Sequence, residues 1–252
     1  MGAGSATVAR REVYEELPST QDRALALARD GAEEGTTVVA RRQSRGRGRG
    51  DRRWESPAGG LYLSVVVRPP ARPGLLPLAV GAELSVALAE EYGVRLRLKW
   101  PNDLLSIGPG GDARKLAGIL VDLVEATGSP PVAVVGVGVN AAPAGAGWPP
   151  AVRAASVGLE ELRSAPVALD RLEAVVVGSV VGAGRALAGP DAGHALIARA
   201  RGLLFGVGEP VRVDGRAVGT LRGLRDDGAL EVAGPEGAVA FLAGDVRVGV
   251  GG

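Results

Sequence analysis

The chain contains no cysteine, which excludes disulfides and thiolate metal sites. Histidine occurs once, as His194. A lone imidazole argues against His-based zinc sites and against a serine–histidine pair. Its setting, Asp191-Ala192-Gly193-His194-Ala195-Leu196, reads as a helix start. Aromatic residues make up only 3% of the chain, so the core has to be built from Val, Leu, Ile and Ala. Lysine is scarce as well: Lys99 and Lys115 are the two lysines among 29 basic residues. Where arginine serves as the generic surface cation, positions that keep a compact ammonium are candidates for a reacting centre. Two leftover surface lysines are the plain alternative, but both lie in compact segments beside apolar runs.

An excess of charge of either sign is also missing. The formal net charge of +1 gives no global attraction to nucleic acid or to an anionic membrane. Charges throughout Met1–Pro18 argue against a signal peptide, and no apolar run reaches the roughly 18–20 residues that span a bilayer. The expectation is a soluble cytoplasmic protein with no membrane partner. The 252 residues, 46% of them hydrophobic, support one large domain or a large and a small one. The 40 glycines alternate with strong apolar runs, the texture of a folded protein with many loops.

Alternation predicts a strand over Val8–Leu17. Ser19-Thr20-Gln21-Asp22 is a helix N-cap signal and opens a helix over Thr20–Arg29. Strands are expected at Thr36–Arg41, Leu61–Val67, Leu96–Trp100, Leu104–Ile107, Lys115–Val124 and Val132–Val139. A hairpin is expected through Ser106–Arg114, and an Ala-, Gly- and Pro-rich loop over 141–150. Helices are expected from Leu75 or Leu76 to Tyr92, over Leu169–Ala186 and over Gly193–Arg201. From Gly206 short β pieces follow at Pro210–Val213, Ala217–Leu224, Ala229–Val232 and Ala238–Leu242. Asp-Gly and Gly-Pro-Glu-Gly turns separate them, which is a small barrel or sandwich signature. The boundary falls near Leu203–Gly208, giving domains 1–203 and 204–252.

Four segments carry chemistry. Arg41–Trp54 holds seven arginines interleaved with glycines. It suits an anion clamp, because guanidinium forks match carboxylate and phosphate oxygens; an RNA-binding Arg-Gly segment is the competing reading. Lys99-Trp100-Pro101-Asn102-Asp103 reads by itself as a plain turn after a strand. Over Lys115–Asp122, alternation places Lys115, Ala117 and Ile119 on one face, with Gly118 leaving room for a ligand or a neighbouring backbone. Gly136-Val137-Gly138-Val139-Asn140 ends a strand and lacks the following helix of a dinucleotide fingerprint.

In this order, the blocks resemble the biotin protein ligase family. The carriers are Ser19-Thr20-Gln21, Gly46-Arg47-Gly48-Arg49 with Trp54-Glu55-Ser56-Pro57, Lys99–Asp103, Lys115–Leu120 and Gly136–Asn140. The resemblance implies an α+β fold: a mixed β-sheet with flanking helices, related to class II aminoacyl-tRNA synthetases, plus a small C-terminal SH3-like β-barrel. It implies biotin and ATP as substrates with Mg²⁺, and a biotinyl-5′-AMP intermediate. The acceptor would be a lysine of the biotin carboxyl carrier protein domain of a biotin-dependent carboxylase.

Carried over block by block, Lys115 and Arg49 are the implied catalytic residues. The biotin site would comprise Ser19, Thr20, Gln21, Gln43, Arg47, Gly48, Arg49, Lys115 and Gly118. The ATP site would comprise Arg49, Arg52, Trp54, Asn102, Asp103, Lys115 and Asn140; no metal ligand is assigned. Trp148 is a candidate for stacking on adenine. Two departures stand out: Asp51 lies where a basic residue is usual, which weakens the case for Arg52, and Gln21 replaces an Asn. Only Met1–Pro18 precedes the first helix, so no operator DNA binding is expected. A homodimer is left open. Lipoate ligation on the related fold, or biotin or RNA binding without catalysis, are the alternatives.

Overall fold

The computed structural model describes residues 9–68, 72–126, 129–143, 145, 148–188 and 192–249. Its first strands and helices are β1 (Arg11–Tyr14), α1 (Thr20–Arg29), β2 (Thr37–Ala40), β3 (Leu61–Val67) and α2 (Leu76–Tyr92). Then come β4 (Arg97–Lys99), β5 (Asp103–Ile107), β6 (Ala113–Ala126) and β7 (Ser129–Val139). Four helices follow: α3 (Pro150–Ala154), α4 (Leu159–Arg163), α5 (Leu169–Ala186) and α6 (Ala192–Leu203). The chain ends in β8 (Pro210–Val213), β9 (Arg216–Leu224), β10 (Leu230–Gly234), β11 (Gly237–Phe241) and β12 (Val246–Val248).

β1 to β7 form one seven-stranded sheet in the order β1-β2-β3-β7-β6-β5-β4. Only β1 and β2 pair in parallel. Alternation along the central strands sorts the residues into two faces. Leu61, Leu63, Val65 and Val67 of β3 and Val135, Val137 and Val139 of β7 join the main core with Leu76, Leu84 and Leu88 of α2 and Val176 and Val180 of α5. On the opposite face Val66, Val132 and Val134 pack beneath Ala24, Leu25 and Ala28 of α1. Helix α1 covers only part of that face and leaves the rest open for a site.

The start of α1 is where the sequence places it. The Ser19 hydroxyl accepts a hydrogen bond from the Asp22 N–H at 3.4 Å, a cap worth about 1 kcal/mol. Asp22 also sits favourably in the first turn, at the positive end of the helix dipole. α2 ends at Gly93, whose φ of 71° is the left-handed stop that glycine adopts without strain. The segment Pro73–Tyr92 is, against expectation, long and apolar enough to cross a bilayer. Its leucines are instead buried against the sheet and α5, which makes it the central core helix. Val8 and Asp191, at the edges of two expected elements, lie outside the described residues.

The C-terminal strands pair antiparallel as β11-β10-β9-β8-β12. This is the small C-terminal β unit that was expected; among the described residues its pairing runs from β11 to β12 without closing into a barrel. It is fastened to the rest of the molecule by Phe205 N–H donating to the Leu98 carbonyl at 2.9 Å and by Trp100 Nε1 donating to the Gly228 carbonyl at 3.0 Å.

Glu12 ties β1 to α1 through both of its oxygens. Arg23 Nε and Nη2 donate to them at 2.8 and 2.9 Å. The Arg23 hydrogen bonds hold the Glu12 carboxyl down at about 2, against an ordinary value of 4.5. Between those two pH values the unfolded state binds more protons than the folded state. The stability contributed by this pair is therefore complete above about pH 4.5 and is lost as the pH falls toward 2. Thermal melts of Glu12→Gln and the parent chain should differ most near neutrality, with the difference shrinking below about pH 4.5 and closing as the pH approaches 2. A constant difference across that range would show that the carboxylate charge is not what holds β1 to α1.

Candidate functional site

The uncovered part of the sheet is floored by glycine. A Cβ at Gly136 would fall 2.5 Å from Oε1 of Gln21; at Gly138, 2.5 Å from Nε1 and Cε2 of Trp54; at Gly118, 2.7 Å from Cζ3 of Trp54. Side chains from α1 and from the arginine-rich loop thus lie directly on the backbone of β6 and β7. The Gly-Val-Gly alternation makes this possible, because the intervening Val137 points into the core.

One end of the resulting slot is a neutral polar network at the N-terminus of α1. Thr20 N–H and Oγ1 both donate to Gln43 Oε1, at 2.8 and 3.1 Å. Gln43 Nε2 donates to Ser56 Oγ at 2.9 Å. Ser64 Oγ donates to Gln21 Oε1 at 2.9 Å and lies 3.0 Å from Thr20 Oγ1. Gln21 Nε2 donates to the Val134 carbonyl at 3.0 Å and to Asp122 Oδ2 at 3.1 Å. Ser19, Thr20, Gln21 and Ser64 are all buried. The low local dielectric strengthens such a network and makes any unpaired member costly.

The other end is cationic. Lys115 Nζ lies 2.7 Å from Asp103 Oδ1 and 4.7 Å from the centroid of the Trp54 ring. The expected face of Lys115 needs correction. In the ladder with β5, Leu105 pairs with Lys115 and Leu104 with Ala117, so Leu116 is an extra, bulged residue. The bulge resets the alternation. Leu116, Ala117 and Ile119 all enter the core, while Lys115 shares the slot face with Gly118. Asn102 and Asn140 fix this strand from the sides, donating to the carbonyls of Ile119 at 2.7 Å and of Lys115 at 3.0 Å.

The arginine-rich loop folds over the slot as a flap. Gly48 N–H donates to the Arg52 carbonyl at 2.8 Å and Trp54 N–H to the Gly46 carbonyl at 3.0 Å, closing it into a hairpin-like turn. Arg47 reaches back to Asp22 at 3.1 Å and to Asp122 at 3.0 Å. Arg49 donates to the Gly244 carbonyl at 3.3 Å, and Arg52 pairs with Asp245 at 3.1 Å. The C-terminal sheet therefore holds the flap, a contact across more than 190 residues that no local signal in the sequence announces.

Two cavities meet at Lys115. The first, about 100 Å³, is lined by Ser19, Thr20, Gln21, Gln43, Arg47, Gly48, Arg49, Arg52, Trp54, Asn102, Lys115 and Gly118. Tyr62, Ser64, Gly136 and Gly138 line it too, although sequence reasoning did not name them as binding residues. Ser64 was detectable as the one polar side chain in an otherwise apolar strand. The Tyr62 phenol donates to the Pro57 carbonyl at 2.8 Å, and burial pushes its pKa up. The second cavity, about 850 Å³, is lined by Lys99, Asp103 and Lys115 among others. Asn140 lines neither; it is buried behind Lys115 with its Oδ1 unpaired. Trp148 also lines neither. The first cavity falls well short of the ~300 Å³ at which small-molecule pockets begin. The flap and Trp54, whose buried Nε1 has no partner, must shift to admit a ligand.

A mixed sheet with a glycine floor, a polar pocket at the N-terminus of α1 and a lysine beneath an arginine-rich flap make an α+β site suited to holding an anionic ligand. The chain belongs to the Biotin/lipoate A/B protein ligase family, whose sequence profile matches residues 13–140. The bifunctional ligase/repressor BirA of Bacillus subtilis is 36% identical over 132 residues, covering 50% of this chain and 39% of the relative. The biotin–[acetyl-CoA-carboxylase] ligase of Mycobacterium tuberculosis is 37% identical over 149 residues, covering 56% of this chain and 52% of the relative. The matched part of the chain thus spans about half the length of these relatives, or less. A solved biotin protein ligase from Aquifex aeolicus, in complex with biotin and ATP, matches with a TM-score of 0.80 at 26% identity, over 95% of this chain and 99% of that one.

Proposed function

We propose that the chain is an ATP-dependent biotin protein ligase. The observation that carries the reading is one slot lined both by cations, Lys115, Arg49 and Arg52, and by the polar side chains of Thr20, Gln21, Gln43 and Ser64, with Arg47 held beside the polar network by Asp22 and Asp122. Biotin is neutral at its ureido ring and anionic at its carboxylate. The ring fits the donors and acceptors of Thr20, Gln21, Gln43 and Ser64, which directs the carboxylate toward Lys115. The second anion is ATP, held by the flap arginines.

In the first step a carboxylate oxygen attacks the α-phosphorus of ATP. The bond from that phosphorus to the bridging oxygen breaks, giving biotinyl-5′-AMP and pyrophosphate. Two anions must be held in line for this, and fixed cations lower the cost of their approach. The Lys115 ammonium is compact enough to follow the oxygens as the new bond forms. In the second step a neutral lysine amine of the carrier attacks the acyl carbon. The bond to AMP breaks, AMP leaves as its anion, and the nitrogen loses one proton. The flap, braced by Gly244 and Asp245, shields the mixed anhydride from water meanwhile.

The described residues include no group of three or more metal-ligating side chains. A Mg²⁺ would arrive with the ATP phosphates and keep most of its waters, and Asp103, which lines the second cavity beside Lys115, is a carboxylate that could hold it. We assign residues 1–203 to catalysis and 204–252 to support of the flap.

Mixing the protein with ATP, Mg²⁺ and biotin should release pyrophosphate, and adding a carrier domain of a biotin-dependent carboxylase should give a biotinylated lysine. Lipoate, whose dithiolane ring offers the polar network nothing to bond, should not replace biotin. Equal pyrophosphate release with lipoate would overturn the assignment of biotin.

A further inference from the structure

The second cavity has a different character from the first. It lies between the β4–β5–β6 edge of the large sheet and the C-terminal sheet, and it ends at Asp103 and Lys115. One wall is apolar, formed by Leu105, Ile107, Phe205 and Val207. Two of these are exposed: Ile107 at 38% and Val207 at 53%. The rim is cationic, formed by Arg97, Lys99 and Arg247. Arg97 is occupied with the carbonyls of Gly202 and Leu204, at 3.2 and 3.4 Å. Among the described residues Lys99 and Arg247 enter no ion pair, and Asp103, one of the two acidic residues lining the groove, is taken by Lys115. The other is Glu209.

We propose that this groove receives the acceptor segment of the carrier protein, a stretch that combines acidic and apolar side chains with the target lysine. The inference rests on the ligase reading above. Lys115 lines both the groove and the slot, so an amine entering along the groove arrives beside the slot in which the activated carboxyl group is held. Phosphate is a poor occupant. The forked arginines of the flap, which match phosphate oxygens, line the first cavity instead, and the apolar wall calls for an occupant with apolar side chains. Strand addition at β4 is also unsuitable, because the Leu98 backbone already pairs with residues 204 and 205. Recognition therefore runs through side chains: apolar contact with Ile107 and Val207, and attraction of carboxylates to Lys99 and Arg247.

The test uses the full chain and two separate surface variants, Arg247→Glu and Val207→Asp. Three rates are measured: biotin-dependent pyrophosphate release, discharge of the adenylate to hydroxylamine, and transfer to a carboxylase carrier domain. Both variants should raise KM for the carrier by about tenfold or more. Pyrophosphate release, KM for ATP and discharge to hydroxylamine should stay within about twofold. Raising the ionic strength should weaken carrier binding in the parent chain and have less effect in Arg247→Glu. An unchanged carrier KM in both variants overturns the proposal, as does a raised KM for ATP, which would make the groove a nucleotide site. Absence of pyrophosphate release in the parent chain would instead overturn the ligase reading itself. If one variant fails to fold, the other decides.

Discussion

Lys115→Ala should lower biotin-dependent pyrophosphate release by about 10²–10³-fold, the usual loss when one fixed charge is removed from a transition state. The fold should survive. The side chain is 30% exposed, and its loss removes one ion pair with Asp103 and one contact with Trp54. Thermal unfolding should shift only slightly, because a partly exposed pair contributes little. Lys115→Arg should recover little of the rate. The bulge at Leu116 brings the lysine's Cε and Nζ within 3.2 Å of where a Cβ on Gly118 would lie, and the ammonium sits against the Trp54 ring. A planar guanidinium has no room there without displacing the ring. Near-normal pyrophosphate release in the alanine variant would remove Lys115 from its assigned role and leave the flap arginines as the whole of the anion site.

What could be read from the sequence followed how local the controlling interaction was. The bounds of α1, β3 and α5 agree with expectation because a cap or an unbroken apolar pattern sets them within a few residues. The short α3 and α4 lie between the end of the loop expected over 141–150 and the helix expected at Leu169, where no element is expected. α4 is held by docking rather than propensity, with fully buried Leu159 as its anchor, while α3 buries none of its residues. β12 has only three residues and exists through its pairing with β8. Within the site, the contiguous blocks led to most of the first cavity, since each block is one turn or one strand end. Two features escaped. The bulge at Leu116 depends on how β5 registers against β6, and a period-two reading has no means of inserting an extra residue. The bracing of Arg49 and Arg52 by Gly244 and Asp245 joins distant parts of the chain, and Asp245 by itself reads only as a turn residue.

Gly138→Ala is the second substitution expected to be severe, and it probes the floor rather than the charge. The added methyl would lie 2.5 Å from Nε1 and Cε2 of Trp54, well inside van der Waals contact. The far edge of the same ring lies over Gly118, so one side chain rests on both glycines. Its backbone is pinned as well: Trp54 N–H donates to Gly46 and its carbonyl accepts from Ser56 Oγ, both at 3.0 Å. The ring has to leave the slot, taking the flap with it and stripping Lys115 of its aromatic neighbour. Biotin-dependent pyrophosphate release should fall by about 10²-fold, since misplacement of groups by an ångström already costs that much, and KM for biotin should rise. The melting temperature should fall by several degrees, corresponding to the roughly 1–3 kcal/mol typical of overpacking. Gly178→Ala, on the exposed side of α5 with nothing within 4 Å of the new methyl, serves as the control and should stabilise by about 0.5–1 kcal/mol. Combining Gly138→Ala with Trp54→Ala should restore the melting temperature by removing the clash, while pyrophosphate release stays low because the flap has lost its anchor. Additive losses of stability in the double variant would mean that the methyl and the ring do not compete for the same space, and the glycine floor would then need another explanation.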